Sequence, residues 1–394
     1  MIQNYFSEGI RSAGEDRSDV ILSIADDLVE KGIPVIRMDL GSPDIDCPEI
    51  AKRAAIDALN NGESHYTDLC GIPRLRRAIA AKEKRDKGLV VNPDSIIVTV
   101  GASEALLGVY ATFLTPGDEI IIPTPGYCSY MFILKTLGVR VVELPIIKDC
   151  QVVVNTEEFE ARITEKTKMI LLNYPQNPTG LMYTHEQLEK IADIAKRHDL
   201  LVISDECYEK YLFEGEFTSI ATLPGMRERT FIINSVSKSF GMTGWRVGYV
   251  IPPEGAEPTM GSFHGNLILC ATSFAQFGAA AAYENETPQQ MEDLRSMYRK
   301  RRDLITSVLD KIPQLSYVKP NGAFYIFVDV EKTGLSGFEF ARRFVDEHQV
   351  TCMPGEIYGE GYENYIRFAY TASYEKTEIA MERLQKFVAE LVGS

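Results

Sequence analysis

The sequence predicts an α/β fold: a large domain with a mainly parallel seven-stranded sheet covered by helices, plus a smaller α+β domain built from both termini. Three observations predict it. Short, continuously apolar runs alternate with helix-period segments through the middle of the chain, as expected of strands buried on both sheet faces. From about Pro288 the pattern changes, and strands and charged helices no longer alternate in that way. With 394 residues the chain is also too long for one small core, so two domains are expected.

The elements follow in order. The first ~45 residues precede the first regular helix, at 49–60, and carry the loop chemistry Gly41-Ser-Pro-Asp. Strands are expected at 95–100, 119–122, 139–144, 169–173, 200–204, 231–234 and 247–251. Helix-period segments at 103–114, 127–137 and 184–198 lie between several of them. The most apolar stretch, 265–283, contains Asn266 and Gln276 and several Gly and Ala, and is expected to be a buried helix, not a membrane span. Beyond it come a long charged helix over 289–311, a strand at 324–330, a helix at 336–348, a strand at 365–369 and a helix at 374–392. The expected division is a large domain of 48–288, and a small domain of 1–47 together with 289–394. No internal repeat, low-complexity tract or long linker interrupts this order.

Composition narrows the function. The chain is 45% hydrophobic and 25% charged, as in ordinary soluble globular proteins. Its net charge of -15 argues against nucleic acid and anionic membrane as partners, and no basic run offsets it locally. The seven cysteines (47, 70, 128, 150, 207, 270, 352) include no Cys-x-x-Cys, and the five histidines no His-Glu-x-x-His. Neither a disulfide framework nor a metal site is expected, and a reducing cytoplasm is the expected setting. The start, Met-Ile-Gln-Asn-Tyr-Phe-Ser-Glu, lacks the basic and apolar regions of a secretory signal.

The chemistry concentrates in segments that adjoin strand ends, where α/β sheets bind ligands. Residues 234–248 read Asn-Ser-Val-Ser-Lys-Ser-Phe-Gly-Met-Thr-Gly-Trp-Arg-Val-Gly. Ser235, Ser237 and Arg246 suit a phosphate, and Lys238 between them suits Schiff-base chemistry with a carbonyl. A lone Ser-x-Ser-Lys is ordinarily a solvated loop; the surrounding motifs change that reading. Gly101-Ala-Ser-Glu opens a helix after a strand, so its free N–H groups and helix dipole attract an anion. Asp205 ends an apolar strand, where a carboxylate needs a partner. Tyr208 follows three residues on, and its alternative role is core packing. Asn173-Tyr-Pro-Gln-Asn-Pro-Thr-Gly follows another strand. Alone it would be a turn.

Together these segments resemble the pyridoxal-phosphate-dependent aminotransferases of class I/II, the aspartate-aminotransferase-like proteins of fold type I. The resemblance runs from Gly41 to Arg367. It rests on Asn173 to Gly180, on Asp205-Glu-Cys-Tyr208 and on Ser235 to Gly248. It implies that Lys238 carries pyridoxal 5'-phosphate and shuttles the proton, while Asp205 pairs with the ring nitrogen. Tyr208 and Asn177 would bond the ring's phenolate oxygen, and Tyr127 would stack on the ring. Ala102, Ser103, Ser235, Ser237 and Arg246 would hold the phosphate, with Tyr66 reaching that of the neighbouring subunit in a homodimer with shared active sites. Arg367 and the backbone of Gly41 would take the substrate α-carboxylate. Some relatives that prefer dicarboxylates carry Lys where Ser103 stands, so an aromatic or other neutral donor is as open as aspartate.

The resemblance thus implies an aminotransferase that moves an amino group from an amino acid to a 2-oxo acid in a ping-pong cycle. Two rivals share the fold. One is an elimination enzyme or lyase using the same cofactor; the other is a non-catalytic regulator.

Overall fold

The computed structural model describes residues 5–13, 18–148, 151–152 and 155–393. Cys150 and the first four residues of the N-terminal segment lie outside them. The chain is α/β, with a seven-stranded sheet in the spatial order Ile97–Thr99, Gly248–Ile251, Thr230–Ser235, Leu201–Asp205, Thr167–Asn173, Glu119–Thr124 and Arg140–Pro145. All seven expected strands are present. Neighbours are parallel except at Gly248–Ile251, which runs antiparallel to both of its partners. That one reversal matters. Five neighbouring parallel strands bring their C-terminal ends to one edge of the sheet. The antiparallel strand brings its beginning there, so Arg246 precedes its strand whereas Asp205 ends one and Lys238 follows one.

The sheet is apolar because helices cover it. Ile120, Ile170, Leu172, Val202, Ile203, Ile232 and Ile233 are fully buried. A second sheet of four antiparallel strands orders Ser316–Tyr317, Tyr325–Asp329, Tyr365–Ala369 and Met353–Pro354. The N-terminal segment joins it: Ile36 bridges Val350, and the N–H of Ala369 donates to the carbonyl of Met38 at 2.8 Å. Besides the short helices Glu8–Ala13, Thr156–Ala161 and Val236–Ser239, two longer helices outside the expected set appear. Ser18–Glu30 packs on Gly337–His348, and Pro73–Lys87 starts at a proline and stops at Gly88 in the left-handed conformation. Those two residues are the ordinary start and stop signals of a helix.

The expected single helix over 265–283 is corrected to two. Glu257–Ile268 ends at Leu269 with φ 66°, and Ser273–Glu284 begins afresh. No glycine or proline marks the break at 268–272. Tertiary contact accompanies it, since Cys270 Sγ accepts the N–H of Thr67 at 3.4 Å. Among the described residues no helix is long and apolar enough to cross a membrane, and no cysteine forms a disulfide.

Candidate active site

A cavity of about 450 Å³ lies at the edge where the strand ends meet. Lys238, Asp205, Tyr208, Ala102, Ser103, Tyr127, Asn177, Ser235, Ser237, Arg246, Gly41 and Arg367 all line it. Tyr66 does not. It stands 79% exposed in the loop before the helix Pro73–Lys87.

One wall is built for an anion. The helix Gly101–Phe113 points its first turn at the cavity, and first-turn N–H groups have no partner within a helix. A Cβ on Gly101 would stand 2.5 Å from Arg246 Nη2, and one on Gly248 would stand 2.5 Å from the Gly101 carbonyl carbon. Both positions therefore need glycine for close approach. Arg246 sits at φ 54°, rare for a side-chain-bearing residue, and donates to the Thr243 carbonyl at 2.9 Å. No carboxylate pairs with it among the described residues.

The floor carries the titratable groups. Lys238 Nζ donates to the Gly41 carbonyl at 2.6 Å. Burial pushes its amine down to about 8, helped by the positive charges of Arg367 and Arg246. Asp205 accepts from the Tyr130 hydroxyl and from the Cys207 N–H, and burial holds its carboxyl above the ordinary range. Tyr208 meets the Tyr325 hydroxyl at 2.9 Å. The other two carboxylates of this turn, Glu206 and Glu209, join a buried ionic cluster. Lys87 lies 2.7 Å from Glu209 and 2.9 Å from Glu83, and it also contacts Glu206. The cluster gives those two acids the cations that buried carboxylates require.

The opposite wall belongs to Arg367. Its guanidinium is sandwiched between the rings of Tyr325, 4.6 Å away, and Tyr358, 5.3 Å away. Nη1 donates to Asn177 Oδ1 at 3.1 Å and Nη2 to the Asp39 carbonyl, while Nε has no partner. Tyr130, Tyr325, Tyr358 and Cys207 were not among the residues the sequence suggested. Tyr130 had a readable signal, since it lies one helical turn beyond Tyr127. Tyr325 and Tyr358 had none, because only the second sheet brings them to this edge.

An amine of lowered basicity, a buried carboxylate, an anion cradle and an unpaired guanidinium share this cavity. With the sheet order they define the class of protein, an α/β enzyme acting on small anionic molecules. The chain belongs to the aminotransferases of class I and II, whose family model, "Aminotransferase class I and II", matches residues 33–384. It is 40% identical to aromatic-amino-acid aminotransferase 2 of Thermococcus litoralis and, likewise at 40%, to an aspartate aminotransferase of Pyrococcus abyssi. Each alignment covers 90% of this chain and 92% of the relative. It is 38% identical to an arginine–pyruvate transaminase of Pseudomonas aeruginosa over 93% of both chains. Among solved structures, Thermus thermophilus aspartate aminotransferase with maleate superposes with a TM-score of 0.90 at 33% identity, covering 97% of this chain and 99% of the other. The chain is therefore an enzyme of amino-group transfer, and the family works through a ping-pong cycle.

Proposed function

We propose that the cavity holds pyridoxal phosphate and that the enzyme prefers amino donors with uncharged side chains. Arg367 carries this reading. It is 5% exposed, has no carboxylate partner among the described residues, and shares a cavity with Lys238. A buried unpaired charge is costly, and a substrate α-carboxylate offsets that cost through a bidentate pair.

The cofactor, when bound, supplies a carbonyl that condenses with amines and a ring that takes up the electron pair of a broken Cα–H bond. The residues fit it. Arg246, Ser235, Ser237, Ala102 and Ser103 would hold the phosphate. Asp205 would pair with the ring nitrogen and hold its proton. Asn177 Oδ1 is engaged by Arg367, so its amide nitrogen is the end left to donate to the ring oxygen, beside Tyr208. Tyr127 would cover the ring face. Lys238, largely uncharged above pH 8, would be the base that takes the proton from the substrate Cα and holds it on its amine.

The cations lining the cavity are Lys238, Arg246 and Arg367, and each already has a task. Ser103 supplies no charge for a second carboxylate, and Leu40, Leu106, Met353 and Ile357 make much of the remaining wall apolar. The named relatives divide between aromatic, acidic and basic donors, so the lining decides. Phenylalanine is expected to exceed aspartate in kcat/KM, and a reversed order overturns the preference. Arg367→Lys is expected to weaken every amino and oxo acid together, by roughly 1–3 kcal/mol, because lysine cannot form the fork. The phenylalanine-to-aspartate ratio should hold; loss of one donor alone would make Arg367 a specificity residue instead.

Two further assignments belong to this reading. The large domain is 48–288, and the small one is 1–47 with 289–394. Ile21, Ile36 and Met38 packing into one core with Phe340, Phe368 and Leu384 supports that division. The enzyme works as a homodimer, in which Tyr66 reaches the partner's phosphate. The support is a hydroxyl exposed in a loop away from its own cavity. Mixing inactive Lys238→Ala with an inactive Tyr66→Phe protein should restore part of the activity once subunits exchange. Full activity in a monomer rules the arrangement out.

A further inference from the structure

Tyr325 touches three functional groups of the cavity at once, and none of the roles above uses it. It opens the strand Tyr325–Asp329 and is 1% exposed. Phe327 faces Arg367 directly across the antiparallel ladder, so Tyr325 is the diagonal neighbour of Arg367 on the same face. That register lays its ring against the guanidinium, 4.6 Å from the centroid. The geometry is a cation–π contact in a desolvated place, where such contacts are strongest. The hydroxyl meets Tyr208 at 2.9 Å. It also lies against Gly41, where an added Cβ would stand 1.8 Å from it. Gly41 in turn accepts the Lys238 amine.

The hydroxyl pair has a direction that only its surroundings can set. Two buried phenols share one hydrogen bond, so one donates to the other, and the one that accepts keeps its own proton for a third group. We propose that Tyr325 is the donor in this pair and acts as a positioning residue. Its hydroxyl orients Tyr208 to donate into the cavity, and its ring holds Arg367 at the angle that receives a carboxylate. This rests on the reading of Tyr208 as the partner of the cofactor's ring oxygen. A hydroxyl that accepts a hydrogen bond is a stronger donor, since hydrogen-bond chains polarise one another. Tyr325 thereby reaches the cofactor side through Tyr208, and the substrate side through Arg367, from one side chain.

The two halves separate experimentally. The visible absorbance of the pyridoxal-phosphate-loaded enzyme is titrated with pH in the absence of substrate. Binding of 3-phenylpropionate, a carboxylate without an amine, is measured by calorimetry on the same proteins. A donor to an ionised oxygen lowers the pKa of the group it serves, so weakening that donor raises the midpoint. Tyr325→Phe keeps the ring and removes the hydroxyl. It should raise the midpoint by about half a pH unit, a fraction of the shift for losing one whole hydrogen bond, and leave 3-phenylpropionate affinity within about twofold. Tyr208→Phe should raise it further. Tyr208→Phe with Tyr325→Phe should match Tyr208→Phe alone, because the second hydroxyl acts through the first. Tyr325→Leu removes the ring as well and should weaken 3-phenylpropionate about tenfold, the loss of roughly one desolvated cation–π contact.

An unmoved midpoint in Tyr325→Phe, with Tyr208→Phe shifted, overturns this proposal and leaves the Tyr208 assignment standing. Shifts that simply add in the double variant also overturn it. An unmoved midpoint in Tyr208→Phe sinks both readings together.

Discussion

Replacing Lys238 by alanine is expected to lower amino transfer roughly 10⁴-fold or more, the full worth of a positioned acid–base group. The fold should survive, because Lys238 lies on the cavity wall and donates a single hydrogen bond, to Gly41. The purified wild-type protein should be yellow, and borohydride reduction should fix the cofactor to Lys238, read by peptide mass spectrometry. Fixation on another lysine, such as Lys168, removes Lys238 from its role. The pH dependence carries a definite sign. Burial holds this amine at about 8 against an ordinary 10.5. It is protonated and inert below that value and free above it. The rate at which apoenzyme captures pyridoxal phosphate should therefore rise through pH 8 and then level off. A midpoint near 10 would mean that the cavity leaves the amine unperturbed.

Asp205→Ala should lose several orders of magnitude in the rate of proton removal from the substrate Cα, with about 1.4 kcal/mol of barrier for each factor of ten. Some cofactor should remain bound, because the anion cradle is built from other residues. The carboxylate is held from two directions, by the Tyr130 hydroxyl and by the Cys207 N–H at 3.1 Å. Neither contact can replace a negative charge facing a ring nitrogen. Single-turnover conversion of the cofactor to pyridoxamine phosphate measures the step directly. A near wild-type rate in Asp205→Ala would end its role in keeping the ring protonated. The same assay separates transfer from elimination, since a lyase would release ammonia and a 2-oxo acid without accumulating the pyridoxamine form.

Much of this site was legible because its residues sit in short segments tied to strand ends. Apolar runs located those strands, and Ser235, Ser237, Lys238 and Asp205 come within a few residues of them. The rest was hidden for physical reasons. Tyr325 and Tyr358 reach the cavity only through the second sheet, whose docking on the first is a tertiary fact with no local signal. The partnership of Lys87 with Glu206 joins residues from distant helix and strand, so neither charge looked unusual by itself. The break at Leu269 falls in 268–272, where no glycine or proline announces it. The helix Pro73–Lys87 carried its proline start and glycine stop in the sequence. Its many charges leave only a short apolar stripe, so those two signals stood with little helical pattern between them.

The single antiparallel strand also bears on how this sequence could be lengthened. To pass from Asp205 to Lys238 the chain must leave the cavity edge, cross the sheet and return, and parallel connections of that kind run to a dozen residues or more. Extra turns on the far side would be absorbed there. Between Lys238 and Arg246 the chain never leaves the edge, because the next strand starts where the last one stopped. Those eight positions act as a ruler between the amine and the guanidinium. Insertions near 225, on the remote side, should be accommodated by a library of length variants. Even one residue added at 240–244 changes the span between the amine and the guanidinium, which the proposed reading sets at opposite ends of one small molecule.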